Sequence, residues 1–339
     1  MMKSKDIHEY ISSCFLNYLP LQKGCSYNTI KSYRDALCIF IKYLRDFRKI
    51  KPEKLRFTDI NRTVVEEYLT WLEENKQCSI STRNQRLVTL HAFFRYLQIE
   101  APQYLDLCKS ILTIRSKKAP QKLINYLSIE EIKIFLSMVD TKTKQGRREL
   151  SILSLLYDSG ARVQELLDLS VVNIRCVKPA TVRFTGKGNK TRIVPIMPQA
   201  IEILKKYMLD FGICTDVSSL NPLFFNKQGK KLSDEGISYI IDKYVVKGRE
   251  ERPDLFKGSI TPHTFRHSKA MHLVEANVNL IYIRDFLGHS SVVTTEHYAK
   301  ANPEIKRKAI EKAGQNVLPK NIYSEVEKED LINWLKNNI

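Results

Sequence analysis

Five of the chain's seven histidines, His263, His267, His272, His289 and His297, fall within TPHTFRHSKAMH (261–272) and LGHSSVVTTEHYAK (287–300). Crowded imidazoles point to metal binding or to acid–base chemistry. His263 and His267 stand at i, i+4, a spacing that could bring both rings to one side of a helix as a zinc site requires. The residues between them are Thr264, Phe265 and Arg266, so the glutamate of an H-E-x-x-H site is missing. An arginine is also a poor neighbour for a divalent cation. The pattern reads against a metal.

A second set of residues gives the histidines a different use. Arg162 lies in YDSGARVQELLDLS, Lys187 in TGKGNKTRIVPI, His263 and Arg266 in HTFRH, His289 in LGHSS and Tyr298 in TTEHYAK. Each has a plain alternative: Arg162 as a helix-surface charge, Lys187 as a turn residue, His263 as a satisfied interior histidine. Tyr298 could be one more core residue among sixteen tyrosines. As an ordered set they are the parts that phosphodiester transfer requires. A pentavalent phosphorus transition state spreads negative charge over its non-bridging oxygens, which two arginines can clamp with planar, bidentate hydrogen bonds. A leaving alkoxide needs a proton donor, and a lysine on a hairpin tip would serve. A tyrosine nucleophile, with an ordinary pKa of ~10, needs a cationic or basic neighbour.

The stretches GARVQELLDL, TGKGNKTRIVPI, TPHTFRHSKAMHL and FLGHSSVVTTEHYAK resemble, in order and spacing, the four signature boxes of the tyrosine recombinases, the phage-integrase and Xer-type site-specific recombinases. The resemblance runs through residues 127–300, and residues 1–110 resemble that family's helical core-binding domain more loosely. It implies Arg162 and Arg266 as the phosphate clamp and Lys187 as the acid protonating the leaving 5′-oxygen. It implies His263 as acceptor of the tyrosine proton, His289 as the third activating group, Tyr298 as nucleophile, and Glu165 as the acidic residue supporting the site. His267 and His272 are expected to support packing around their helix, and His297 receives no role.

The implied reaction passes through a 3′-phosphotyrosyl link and a Holliday junction, with no cofactor, metal or ATP. The implied partners are double-stranded DNA with inverted-repeat core sites and a homotetramer on that DNA, linked by C-terminal tails. An accessory DNA-bending or directionality protein could join them. The long C-terminal segment favours a mobile-element integrase over an Xer-like chromosome-dimer resolvase. A catalytically idle DNA-binding regulator and a topoisomerase-like nicking enzyme are the readings from other classes.

The scaffold expected to hold these groups is mainly α with a small β-hairpin or sheet. Residues 1–110 read as a four-helix core-binding domain. SYNTIKSYRDALCIFIKYL offers Ser26 or Asn28 as N-cap and one apolar face of Ile30, Tyr33, Leu37, Phe40, Ile41 and Leu44. A second helix is expected to start at Thr58 or Asp59 and bury Ile60, Val64, Tyr68, Leu69 and Leu72. A third buries Leu87, Leu90, Phe94 and Leu97, leaving Arg83, Arg86 and Arg95 for other faces. Residues 111–126 read as an extended basic linker, since Pro120 disfavours helix and the charges repel. Arg83, Arg86, Arg115, Lys117, Lys118 and Lys122 are the expected DNA-phosphate contacts.

An α+β catalytic domain is expected over 127–315, opening on a Ser128/Glu131 capping box. Its hairpin turns at Gly186-Lys187-Gly188-Asn189 between Val182/Phe184 and Val194/Ile196. A tail helix over 316–339 has Leu331, Ile332, Trp334 and Leu335 to bury, either on its own domain or on a neighbour.

Bulk properties agree with a polyanion as partner. Lys+Arg number 55 against 37 Asp+Glu, a net charge of +18, and neutralising phosphates releases counterions. No apolar run approaches the ~18 residues of a membrane span, and MMKSKDIHEYISS lacks the apolar stretch of a signal peptide. A cytoplasmic, nucleoid-associated location follows as the expectation. Seven scattered cysteines without a C-x-x-C pair fit reduced thiols better than a disulfide framework or zinc knuckle.

Overall fold

The computed structural model describes residues 6–120, 124–213, 220–226, 228–301, 307 and 325–338. The chain divides into two compact units, Met1–Lys122 and Leu123–Ile339.

The first unit is helical: α1 (Ile7–Ser13), continued by a π-helical stretch Cys14–Gln22 around Pro20, then α2 (Tyr27–Asp46), α3 (Arg62–Glu74), α4 (Ile80–Glu100) and α5 (Leu105–Leu112). The Ser26 hydroxyl caps α2 by accepting from the Thr29 amide. Leu37, Phe40 and Leu44 go into the core, with Ile30, Tyr33 and Ile41 at its edge. The five core residues expected for the next helix are all buried, Val64, Tyr68, Leu69 and Leu72 on α3 and Ile60 just before it. Its start is one turn later than expected: Phe57–Asp59 forms a separate 3-10 turn, and Asn61 caps α3 by accepting from the Val64 amide.

Arg83 needs a correction. It is buried at 6 % exposure, pairs with Glu73 at 3.3 Å and donates to the Arg115 carbonyl at 3.4 Å. A cation so placed holds structure and has no free face for DNA. The first part of the stretch expected to be an extended basic linker is tied down by the same corner. Asn84 accepts from the Lys117 amide at 3.0 Å and donates to its carbonyl at 2.7 Å, while the Lys117 ammonium reaches Glu73 at 2.7 Å. Ile114 is buried in the first core. Arg115, Lys117 and Lys118 are exposed and Arg86 is half-buried; Lys122 lies outside the described residues.

The second unit comprises α6 (Ile129–Ser137), α7 (Lys144–Ser159), α8 (Val163–Leu167), β1 (Ile174–Arg175), β2 (Thr181–Thr185), β3 (Thr191–Pro195), α9 (Pro198–Asp210), α10 (Asp234–Glu251), α11 (Pro262–Glu275), α12 (Leu280–Leu287), α13 (Val292–Ala301) and α14 (Glu325–Asn338). Ser128 and Glu131 form the expected capping box. The three strands run antiparallel in the order β1-β2-β3, with Thr185 opposite Thr191 and Phe184 opposite Arg192. Val182, Phe184 and Val194 are fully buried, and burial of one such side chain contributes about 1.5–3 kcal/mol. They fix which face of the hairpin meets the helices. The hairpin turn uses left-handed backbone at Gly188 (φ +75°) and Asn189 (φ +58°). Helix α7 is the central helix, with Ile152, Leu153, Leu155 and Leu156 at 1 % exposure or less.

Of the tail expected over 316–339, only α14 is described in the structure. Its Leu331, Ile332, Trp334 and Leu335 are 44–60 % exposed. Its apolar face is therefore not covered by the described part of its own chain.

Candidate active site

The site forms where three helix ends meet the root of the hairpin. Helix α7 stops at Gly160, whose left-handed backbone (φ +56°) turns the chain so that Arg162 becomes the N-cap of α8. Helix α12 stops at a second left-handed glycine, Gly288 (φ +65°), and His289 follows directly. Helix α11 starts at Thr261 with Pro262 in its first turn, where a missing amide costs nothing, and carries His263, Arg266 and His267.

The last carbonyls of α12 organise three arginines. Phe286 accepts from Arg192 Nε at 2.9 Å, Leu287 from Arg266 Nη2 at 2.6 Å, and Gly288 from Arg162 Nη2 at 3.4 Å. A helix C-terminus carries partial negative charge, so it suits cations. Arg266, buried at 3 % exposure, also donates to the Gly160 carbonyl at 2.5 Å. Burial, and then repulsion from Arg162, lower its pKa to about 10, which leaves it cationic at neutral pH.

Glu165 is the counter-charge. Its carboxylate accepts from the Arg162 amide (2.9 Å), from Arg162 Nη1 (2.8 Å), and from both terminal nitrogens of Arg192 (2.9 and 2.8 Å). Burial pushes its pKa up, but the hydrogen bonds from Arg192 and from the Arg162 backbone outweigh this and hold it at about 2. Arg162, Glu165, Gly186, Lys190, Arg192, Gly288 and His289 line an open cleft of 580 Å³.

Tyr298, on α13, is 4 % exposed. Its hydroxyl meets His267 Nδ1 at 2.8 Å. Burial raises the phenol's pKa, while Arg266 and Arg162 pull it back. The pKa of His267 is lowered by burial, then by His263 and Arg266, so at neutral pH the ring is uncharged and can accept a proton. His289 Nδ1 lies 3.0 Å from the hydroxyl of Thr295, and its ring is parallel to that of Tyr298 with centroids 6.3 Å apart. Burial, then Arg266 and Arg162, lower its pKa to about 4, so it too is uncharged at neutral pH.

Two expectations about these histidines change. His263 is exposed, one turn before His267 on α11, with ring centroids 6.3 Å apart. The ring on the phenol is that of His267, a residue expected only to support packing. The i, i+4 spacing that first suggested a metal puts both rings on one face, and the approach of α13 decides which of them Tyr298 meets. His272 does pack as expected, meeting the Tyr157 hydroxyl at 3.0 Å. His297 is exposed. The backbone of Lys187 opens the turn between β2 and β3, adjacent to the cleft residue Gly186; its side chain lies outside what is described. Among the described residues no three His, Cys, Asp or Glu side chains gather as a metal site.

Arg192 was not singled out in the sequence. The signal was available: strand alternation puts it on the same face as the buried Val194, and a cation on a core face requires a partner.

The model of the phage integrase family matches residues 125–304, and that of the phage integrase N-terminal SAM-like domain matches residues 13–101. The putative integrase/recombinase y4rC of Sinorhizobium fredii is 31 % identical over 92 % of this chain and 93 % of its own length. The tyrosine recombinase XerD of Staphylococcus epidermidis is 33 % identical over 87 % of this chain and 95 % of its own. Two solved structures share the fold. The XerH site-specific recombinase bound to palindromic difH substrate, a post-cleavage complex, matches with TM-score 0.68 at 22 % identity, covering 86 % of this chain and 82 % of that one. The Tn1549 transposon integrase in complex with transposon right-end DNA matches with TM-score 0.67 at 17 % identity, covering 89 % and 98 %. Arginines gathered on the end of α12, with His267 and His289 beside a buried Tyr298, on a chain matched along nearly its whole length by recombinases, identify it: this chain belongs to the phage integrase family of tyrosine recombinases.

Proposed function

We propose that this cleft cuts and rejoins DNA strands, with Tyr298 as nucleophile and the Arg162/Arg266 pair as phosphate clamp. The observation that carries the reading is the buried Tyr298 hydroxyl, bonded to an uncharged imidazole beside two fixed arginines. The phenol oxygen attacks phosphorus while its proton passes to His267 Nδ1. The bond from phosphorus to the 5′-oxygen breaks, and that oxygen takes a proton from Lys187. The products are a 3′-phosphotyrosyl link and a free 5′-hydroxyl. Attack by the 5′-hydroxyl of a second duplex runs the same steps backwards and exchanges the strands. Phosphoester energy is kept in the link, so no nucleotide cofactor is consumed. His289, uncharged, serves as a hydrogen-bonding group at the phosphate, and Glu165 fixes Arg162 and balances its charge.

Double-stranded DNA is the substrate in this reading; the likeness to XerH bound to difH substrate and to the Tn1549 integrase in complex with transposon right-end DNA and the +18 charge support it. Arg86, Arg115 and Lys118 are the phosphate contacts retained from the sequence, and Lys117 is shared with Glu73. Inverted-repeat sites, a tetramer joined through α14, an accessory bending or directionality protein, a mobile-element role and a cytoplasmic, nucleoid-associated setting complete the reading. No helix among the described residues is long and apolar enough to cross a membrane.

The test is strand exchange between two labelled duplexes carrying the joined sequences that flank the gene. Wild type should give a Holliday junction and recombinant products, and Tyr298→Phe neither. Relaxation of supercoils by single duplexes without synapsis would point to the topoisomerase-like alternative. Specific binding with no exchange by either protein would point to the idle regulator.

A further inference from the structure

We propose that Arg192 is a positioning residue, which locks the hairpin carrying Lys187 onto the floor of the cleft and so sets the acid step of cleavage. The inference rests on the strand-transfer reading above.

Three observations carry it. First, Arg192 joins two elements of the floor: its terminal nitrogens take both oxygens of Glu165 on α8, and its Nε takes the Phe286 carbonyl at the end of α12. Its guanidinium also lies 5.0 Å from the Phe184 ring centre on the paired strand. Second, the hairpin root closes on the same carboxylate. A Cβ added at Gly186 would stand 2.9 Å from Glu165 Oε1, so a side chain there would have to displace that hydrogen-bonded carboxylate. The Gly186 amide donates to the Lys190 carbonyl at 2.8 Å, closing the turn. Lys187 is the next residue along, so the Arg192–Glu165 pair fixes the backbone from which it projects. Third, Arg192 is held more tightly than its cleft neighbour Arg162: its side chain is 11 % exposed, against 39 %. A guanidinium with three of its hydrogen bonds given to Glu165 and Phe286 is a brace for the hairpin, and Arg162 keeps the cleft-facing role.

A brace of this kind acts on one step. If Arg192 places Lys187, its loss slows departure of the 5′-oxygen and leaves the attack on phosphorus intact. Replacing that bridging oxygen by sulfur separates the two, because a thiolate, with an ordinary thiol pKa of ~8.5, leaves without a proton donor. Cleavage would be timed in single turnover on oxygen-bridged and 5′-sulfur-bridged duplexes, using full-length wild type, Lys187→Ala, Arg192→Met and Arg192→Lys. Arg192→Met should cut the oxygen duplex about 10²-fold more slowly and the sulfur duplex at the wild-type rate, as Lys187→Ala does. Arg192→Lys keeps the charge without the planar fork, should show the same selective defect, and serves alone if Arg192→Met does not fold. Equal slowing on both duplexes would overturn the proposal, since Arg192 would then act on the clamp or the fold. No slowing on the oxygen duplex would overturn it as well. If wild type forms no adduct, the strand-transfer reading itself falls and takes the proposal with it; if wild type cleaves but sulfur fails to rescue Lys187→Ala, Lys187 is not the acid and the proposal alone falls.

Discussion

Tyr298 is buried deeply enough that its phenol keeps its proton at neutral pH, so a partner must take that proton as the oxygen attacks. In the proposed reaction that partner is His267, which meets the hydroxyl at 2.8 Å. His267→Ala should lower single-turnover cleavage by about 10²-fold, and more than His263→Ala does; the reverse order would return the role to His263. The two depressed histidines also set an acid limit. Each has a folded pKa below the ordinary ~6.5, so the unfolded chain binds more protons as pH falls. Their contribution to stability is full above ~6.5 and is lost as pH drops from there towards about 4, where His289 itself takes a proton. Thermal melts across that window should show Tm falling with pH, and His289→Gln should flatten the slope; an equal slope in the variant would contradict the assignment. Cleavage should fall as pH drops below ~6.5 and His267 becomes charged. Arg162, Arg266, His289 and Tyr298 could be singled out in the sequence because each has a distinctive type and neighbourhood, and the structure places them around Glu165 and the end of α12. Which of His263 and His267 meets the phenol could not be read there, because both share one helix face and the contact comes from α13.

Helix ends do most of the positioning. Gly160 and Gly288 stop α7 and α12 in left-handed turns, and the carbonyls so released bind Arg266, Arg162 and Arg192. A side chain at Gly288 would be strained by its φ of +65° and would stand 3.0 Å from Arg192. Gly288→Ala should therefore lose roughly 1–2 kcal/mol together with most cleavage activity. Gly212→Ala, at φ +62° with nothing within 4 Å, should lose similar stability in denaturant melts and keep its activity. Comparable activity loss in both would show that the Gly288 effect is strain alone. The hairpin, the α6 capping box and the core faces of α2 to α4 were legible because their periodicity and caps are local. The start of α3 was displaced because Thr58 and Asp59 cap equally well on paper, whereas the 3-10 turn Phe57–Asp59 uses them first. Arg83 looked like a surface cation because Glu73 and the Arg115 carbonyl are distant in sequence.

At the scale of the whole molecule, two features extend beyond a single cleft. The +18 charge predicts that DNA affinity falls steeply with salt, with a slope of roughly −0.9 per phosphate neutralised. The exposed Leu331, Ile332, Trp334 and Leu335 predict that α14 is covered by another protomer. Ending the chain before residue 316 should abolish the DNA-bound tetramer in sedimentation while leaving a single protomer able to cleave; an intact tetramer would assign the exposed face to something else. All of this presupposes that Tyr298 attacks DNA. The most direct measurement offers nicked suicide duplexes from the flanking sequence in EDTA, then maps any SDS-stable protein–DNA adduct by peptide mass spectrometry. The account predicts an adduct on Tyr298 that is absent in Tyr298→Phe. A metal-dependent nick with no adduct, or an adduct on another residue, would contradict it.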